Sequence, residues 1–241
     1  MIPRIIHYCW FGGEKSAKVK KCIETWEQNL PDYQIIEWNE ENFDVDQNLY
    51  TRDAFKAKRY AFVSDVARIK ALYEYGGIYL DTDVVVYKDF DSILCYRCVF
   101  GFEEEQYIAT SFMACESHFP LMKQFLDLYN SIPFYDDEGN IIPGTNVGKL
   151  TDLLIGLGLK RNNQFQELES GIVVYPQEYF SPYDYGNCIH QNTEKTICEH
   201  LFFVSWLPWP TRLKKVVKRV IGPVLGKKNM NKLRLKYRGM R

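Results

Sequence analysis

The chain has 241 residues, 46% of them apolar, with 30 Lys and Arg against 31 Asp and Glu and a net charge of −1 at pH 7. That length buries a sizeable core and reads as one large domain, residues 1–210, with an appendage at 211–241. No run of 18 apolar residues occurs and Met1-Ile2-Pro3-Arg4 lacks the charged start and long apolar stretch of a secretory leader, so a spanning helix is excluded by pattern and a cytoplasmic protein is expected.

Seven cysteines, Cys9, Cys22, Cys95, Cys98, Cys115, Cys188 and Cys198, are scattered through apolar segments and read as reduced core thiols. From the N-terminus, Ile2–Cys9 is a first buried strand that runs into a Trp10-Phe11-Gly12-Gly13 loop. Ala17–Gln28 places Val19, Cys22, Ile23 and Trp26 on one helical face, Pro31-Asp32 turns, and Tyr33–Trp38 is a second strand. This β-α-β start points to a parallel sheet, where ligands bind beyond the carboxyl ends of strands. Asn39–Asp53 is acidic and polar and reads as loop with a short helix.

The densest stretch is Tyr60–Tyr87. Ala61, Val63, Val66, Ile69, Ala71 and Leu72 recur near the helical period, Gly76-Gly77 stops the helix, and apolar runs Ile78–Leu80 and Val84–Val86 flank Asp81-Thr82-Asp83. Side chains at i and i+2 of an extended backbone point the same way, so Asp81 and Asp83 can converge on one hard cation. A solvated turn that uses Asp for its backbone tolerance is the competing reading. Two unpaired carboxylates at the end of a buried strand would be costly, which favours the cation. Asp65 and Arg68 share a helix face, where a plain i, i+3 ion pair is the alternative to a functional role.

Further along, Val99-Phe100-Gly101-Phe102 leads to an acidic turn, Ile108–Ala114 reads as one strand, and Pro120–Asn130 as a helix opened by its proline. Val147–Leu157 is a helix capped by Thr145-Asn146, and Gly171–Tyr175 is a short strand before the aromatic, proline-rich loop Pro176–Tyr185. Of His190 and His200, a lone histidine is usually a hydrogen-bonded structural residue.

Residues 211–241 carry twelve Lys or Arg and no acid, which leaves the rest of the chain eighteen basic against 31 acidic side chains, a balance of −13. Leu213, Val216, Val217, Val220 and Ile221 fall on one helical face and Lys214, Lys215, Lys218 and Arg219 on the other. This reads as an interfacial amphipathic helix for an anionic membrane surface, with docking on the acidic body or a disordered basic tail as the competing readings. The acidic body speaks against nucleic acid.

The run SDVARIKALYEYGGIYLDTDV (Ser64–Val84) and the opening IPRIIHYCWFGG resemble the DXD region and the first strand with its nucleotide loop of a sugar-transferring family. That family includes family 32 glycosyltransferases, capsular polysaccharide glycosyltransferases and the glucosylating domain of clostridial toxins. The resemblance covers most of Met1–Trp206 and implies an α/β GT-A fold with a mostly parallel central sheet flanked by helices. It also implies a nucleoside diphosphate sugar donor, taken as a UDP-sugar, Mn²⁺ or Mg²⁺, and retention at the anomeric carbon. The acceptor it suggests is a saccharide, lipid-linked at the inner face of the cell membrane, in bacterial surface polysaccharide synthesis.

By the same resemblance Trp10 stacks on the base, Ser64 and Tyr79 line the nucleoside pocket, and Asp65 accepts hydrogen bonds from donor sugar hydroxyls. Arg68 contacts the sugar or Asp81, Asn146 contacts the sugar, and Ser205 and Trp206 close over the diphosphate. His200 lies five residues before Ser205, matching the family's closing H-x4-S-W segment, and becomes the third metal ligand with Asp81 and Asp83. Asp65, Arg68, Asp81 and Asp83 form the catalytic set. The chain departs from its relatives at Leu201, where they often carry a second histidine, and at Thr110-Ser111, where an asparagine is commoner. Two other readings compete: a haloacid-dehalogenase-like phosphohydrolase with Asp81 as nucleophile, and a non-catalytic scaffold of polysaccharide assembly.

Overall fold

The computed structural model describes residues 1–203 other than 105 and 143, together with 218, 225, 226, 229 and 230. The β-α-β start forms as its pattern requires. Strand β1 (Ile5–Cys9) pairs in parallel with β2 (Gln34–Trp38), and helix α1 (Ala17–Asn29) connects them. Ser16 opens α1 by accepting the Val19 N–H on its hydroxyl, and the helix buries Val19, Cys22 and Trp26. Within the polar stretch, α2 (Leu49–Lys56) is capped by the Asn48 side chain. Helix α3 (Tyr60–Tyr75) buries Val63, Val66, Ala67, Ile69, Ala71 and Leu72.

Gly76 ends α3 with φ +67°, and Gly77 opens strand β3 (Gly77–Leu80) at φ +99°, parallel to β1. His7 pins this corner: its Nε2 lies 2.8 Å from the Gly76 carbonyl, and its Nδ1 accepts from Trp38 Nε1 at 3.1 Å. That pairing makes Nε2 the protonated nitrogen of a neutral ring, and burial pushes the imidazole down to about 4. The chain then turns through Asp81-Thr82-Asp83 into β4 (Val84–Val86).

The stretch Ile108–Ala114, expected as one strand, is two. After β5 (Cys98–Glu104), β6 (Tyr107–Ile108) folds back on β5, whereas β7 (Phe112–Cys115) inserts antiparallel between β3 and β5. The break falls at Ala109–Ser111, whose backbone groups leave the strand pattern for Gly101, Arg68 and Asp81. Helices α4 (Pro120–Ser131) and α5 (Asn146–Gly156) follow, then β8 (Gln166–Leu168), β9 (Ile172–Tyr175), the short α6 (Gln177–Phe180) and β10 (Cys198–His200).

The main sheet runs β2-β1-β3-β7-β5-β9-β8, with β6 added on β5. Strands β1, β2, β3, β5 and β9 point one way, so the sheet is mostly parallel, with β7 and β8 reversed. Alternation along β3 divides the core: Tyr79 joins the cluster with α3 and α4, whereas Ile78 and Leu80 join the cluster around Trp26 and Phe112.

Strand β4 lies outside the main sheet, in a ribbon with antiparallel β10. Helix α1 holds it there: Trp26 Nε1 donates to Val84 O at 2.8 Å, Asn29 Nδ2 to Val86 O at 3.1 Å, and Thr25 Oγ1 accepts from Val86 N at 3.0 Å. Among the described residues no helix is long and apolar enough to cross a membrane. Most of the amphipathic stretch at 211–241 lies outside the described residues; of those described there, Lys218 donates to Gly186 O at 2.9 Å and Met230 is buried.

A Cβ on Gly77 would stand 2.6 Å from Ile5 O and 3.2 Å from His7 Nε2. Gly77→Ala should therefore lower stability by about 2 kcal/mol or more, from strain and clash together. Urea unfolding checks this, and a midpoint equal to that of the wild type would refute the role given to this corner.

Candidate active site

Three elements deliver the charged residues. Helix α3 contributes Ser64, Asp65 and Arg68 from one face, the carboxyl end of β3 contributes Tyr79 and Asp81, and the β4–β10 ribbon brings His200 to Asp83 by pairing it with Val84.

Arg68 is the hub. Its side chain is 7% exposed, and its guanidinium reaches Asp65 Oδ1 at 3.2 Å, Asp81 Oδ1 at 3.1 Å, Thr110 O at 2.8 Å and Ser64 O at 3.1 Å. The Tyr79 ring lies 4.6 Å beneath it, and the Tyr79 hydroxyl donates to Asp81 Oδ1 at 2.9 Å. Asp81 thus meets both partners through the same oxygen, and its own N–H bonds to Ser111 O at 2.9 Å.

Asp83 and His200 form the second half. Asp83 Oδ1 stands 3.1 Å from His200 Nε2, its Oδ2 accepts the Phe203 N–H at 2.8 Å, and its carbonyl accepts the Leu201 N–H at 2.9 Å. Burial works to raise the Asp83 carboxyl, but His200 and the Phe203 amide hold it below its usual range. Burial likewise opposes charge on His200, yet Asp83, with Glu103 behind it, pushes the imidazole up to about 10. One ligand atom each from Asp81, Asp83 and His200 fall within 4.8 Å of one another. Two carboxylates and an imidazole at that separation suit Mn²⁺, or Mg²⁺ completed by water and phosphate oxygens.

Asn146, the first residue of α5, is buried beside Asp65; its Oδ1 accepts from Tyr129 OH at 2.8 Å, and Thr145 caps the helix. Buried atoms without a hydrogen-bond partner include Asn146 Nδ2, Ser111 Oγ and His200 Nδ1. Asn146 Nδ2 and Ser111 Oγ border this network, where a polar ligand would satisfy them, whereas His200 Nδ1 faces Glu103 Oε1 at 3.6 Å. Ser64 donates its hydroxyl to Tyr60 O at 3.1 Å and supplies a carbonyl to Arg68.

Trp10 stands at another strand end, past β1, where its indole N–H donates to Gly13 O at 2.7 Å. With Lys15, Lys20, Glu37 and Asn39 it lines a cavity of about 320 Å³. Ser205 and Trp206 lie outside the described residues. Sequence reasoning missed Glu103, Lys149 and the Phe203 amide. Glu103 sat in what read as an acidic turn, and Lys149 carried a signal only as the residue one turn after Asn146.

Residues 16–100 match the family described as glycosyltransferase sugar-binding region containing DXD motif. Two proteins of Schizosaccharomyces pombe (strain 972 / ATCC 24843), inositol phosphoceramide mannosyltransferases 3 and 2, are each 34% identical to the chain over 105 and 100 residues. These matches take in 39% and 40% of this chain but only 28% and 29% of the mannosyltransferases. Among solved structures, the PaToxG glycosyltransferase superposes with a TM-score of 0.52 at 21% identity, over 64% of this chain and 69% of that one. The likeness shows the fold: the mixed sheet with flanking helices is the GT-A arrangement that the sequence led us to expect.

Asp65 carries a consequence for stability. Burial raises its pKa from 3.8 to about 6, with Arg68 working against the shift. The folded protein therefore holds a proton that the unfolded chain releases near pH 4, and stability falls as pH rises from about 4 to about 6. Asp65→Asn should stabilise the metal-free protein at pH 7, and the gain should vanish below about pH 4. Thermal melts of both proteins across that range test it; a variant less stable than wild type at pH 7 contradicts the assignment.

Proposed function

We propose that the protein is a glycosyltransferase that moves a sugar from a nucleoside diphosphate donor, a UDP-sugar, to a saccharide acceptor with retention at the anomeric carbon. The observation that carries this reading is the convergence of Asp81, Asp83 and His200 at the end of β3, within a segment matched to a DXD sugar-binding region. A divalent cation, Mn²⁺ or Mg²⁺, would be held by those three residues and would neutralise charge on the departing diphosphate.

The chain's own groups do the rest. Asp65, fixed by Arg68, offers a carboxylate to donor sugar hydroxyls, and Asn146, buried beside it, adds an amide at the same place. Arg68 and the Tyr79 hydroxyl hold one oxygen of Asp81, which orients that carboxylate without a mobile counter-ion. The Phe203 amide does the same for Asp83. The cavity beside Trp10, past the ends of β1 and β2, takes the base, with the indole as its stacking surface, and Ser64 and Tyr79 contribute to the nucleoside side. Ser205 and Trp206 close over the diphosphate. Attack comes from the acceptor on the same face as the leaving group, and Asp65 orients the donor without forming a covalent adduct.

Lipid-linked saccharide on the inner face of the cell membrane is the acceptor class we favour, in bacterial surface polysaccharide synthesis, with 211–241 as the contact to anionic lipid. The twelve basic residues of that segment support it, as does the likeness to the two inositol phosphoceramide mannosyltransferases.

Calorimetric titration of UDP into the protein with and without Mn²⁺ is the deciding experiment. Wild type should bind UDP at least ~10-fold more tightly with metal, and Asp83→Asn should lose that gain while melting as a folded protein. Metal-independent UDP binding unchanged by Asp83→Asn would overturn the metal role, and no UDP binding with or without Mn²⁺ would overturn the UDP-sugar donor. The full chain should also sediment with vesicles rich in phosphatidylserine and be released at high ionic strength; binding insensitive to salt and to anionic lipid would remove the membrane contact.

A further inference from the structure

His200 is 9% exposed, and only one edge of its ring is engaged: Nε2 faces Asp83 Oδ1 at 3.1 Å, whereas Nδ1 has no hydrogen-bond partner. The Phe202 ring lies 3.8 Å from the imidazole, centroid to centroid, and covers it. A buried imidazole nitrogen left unpaired is costly, and native sites rarely keep one. Facing that nitrogen is Glu103, from the last turn of β5, with Oε1 3.6 Å from Nδ1 and a side chain only 16% exposed. The gap exceeds a hydrogen bond by a few tenths of an ångström, within the rotation of a glutamate side chain.

The two nitrogens point away from each other, so a group on Nδ1 is separated by the ring from whatever Nε2 meets. Glu103 accordingly stands outside the set of ligand atoms formed by Asp81, Asp83 and His200. A histidine can give Nε2 to a cation only as the tautomer that keeps its proton on Nδ1, and an acceptor at Nδ1 selects that tautomer.

We propose that Glu103 is the positioning residue of the candidate metal site: it accepts the His200 Nδ1–H and thereby turns the Nε2 lone pair toward Asp81 and Asp83. The inference rests on the metal-dependent reading above and adds to it a residue from the carboxyl end of β5, two strands from β3 in the main sheet. It also explains why an acidic side chain sits largely covered at the end of an otherwise buried strand, where an exposed one would serve solubility equally well.

Mn²⁺ titrated calorimetrically into the full chain, without nucleotide, tests the proposal. Glu103→Ala should bind Mn²⁺ about 10- to 100-fold more weakly than wild type. Glu103→Gln, whose side-chain carbonyl still accepts the Nδ1–H, should stay within about threefold of wild type in Mn²⁺ affinity, and its metal-free melt should match wild type. Long-range ¹H–¹⁵N spectra of the Mg²⁺-loaded protein should show the proton of His200 on Nδ1. Equal affinity of Glu103→Ala and wild type overturns the positioning role, and so does a Gln variant as weak as the Ala variant. Wild type that binds no Mn²⁺, together with an Asp83→Asn variant indistinguishable from it, overturns the metal reading itself; wild type that binds normally isolates any failure to Glu103.

Discussion

The buried guanidinium of Arg68 is the constraint on which the site depends. A charge with a side chain 7% exposed is tolerable only because carbonyls and the Asp81 carboxylate surround it. Its partners come from α3 itself, from β3 and from the Ala109–Ser111 break before β7. The same contacts that satisfy the charge therefore set helix α3 against the sheet and fix the depth at which Asp81 emerges. Site geometry and fold stability share this residue, so loss of activity on changing Arg68 would not separate chemistry from folding. Asp83 and Glu103 are better probes, since their removal leaves the α3–β3–β7 network intact.

Local signals were legible and long-range ones were not. The apolar spacing of Val63, Val66, Ile69 and Leu72, the stop at Gly76-Gly77 and the cap at Thr145 each depend on neighbours within a few residues, and each element forms where the pattern puts it. Helix α2 is expected only as a short helix somewhere in Asn39–Asp53, and its bounds were not legible because it buries little beyond Tyr50, Thr51 and Ala54. Strand β8, Gln-Glu-Leu, is an edge strand half in solvent and needs no apolar alternation. The antiparallel β7 and the ribbon of β4 with β10 are pairings between segments far apart in the chain, made by backbone hydrogen bonds that no local composition records.

The candidate site divides along the same line. Asp81 and Asp83 announced themselves as charge at the end of an apolar strand. His200 had no such signal; only its spacing to Ser205 and Trp206 marked it, and the ribbon then sets it beside Asp83. Glu103 had less still, because what makes it informative is an unpaired nitrogen on another strand. Asp65 shows why a site residue is hard to infer from stability reasoning: its buried carboxylate weakens the fold at neutral pH, a cost tolerated where a ligand uses the charge.

Charge balance sets a final condition on the proposed reaction. Outside the basic segment the chain carries −13, and the site itself gathers Asp65, Asp81, Asp83 and Glu103 against Arg68, the charged His200 imidazole and, one turn along α5 from Asn146, Lys149. An anionic diphosphate approaching this surface meets repulsion that Arg68 cannot relieve, because its guanidinium is already committed to Asp65, Asp81 and two backbone carbonyls. A bound cation would reverse the charge at Asp81 and Asp83, so on the transferase reading cation and nucleotide bind with mutual dependence. The acidic surface then acts as a filter on this reading: an anionic ligand that cannot bridge to a cation at Asp81, Asp83 and His200 meets the repulsion of those carboxylates unrelieved.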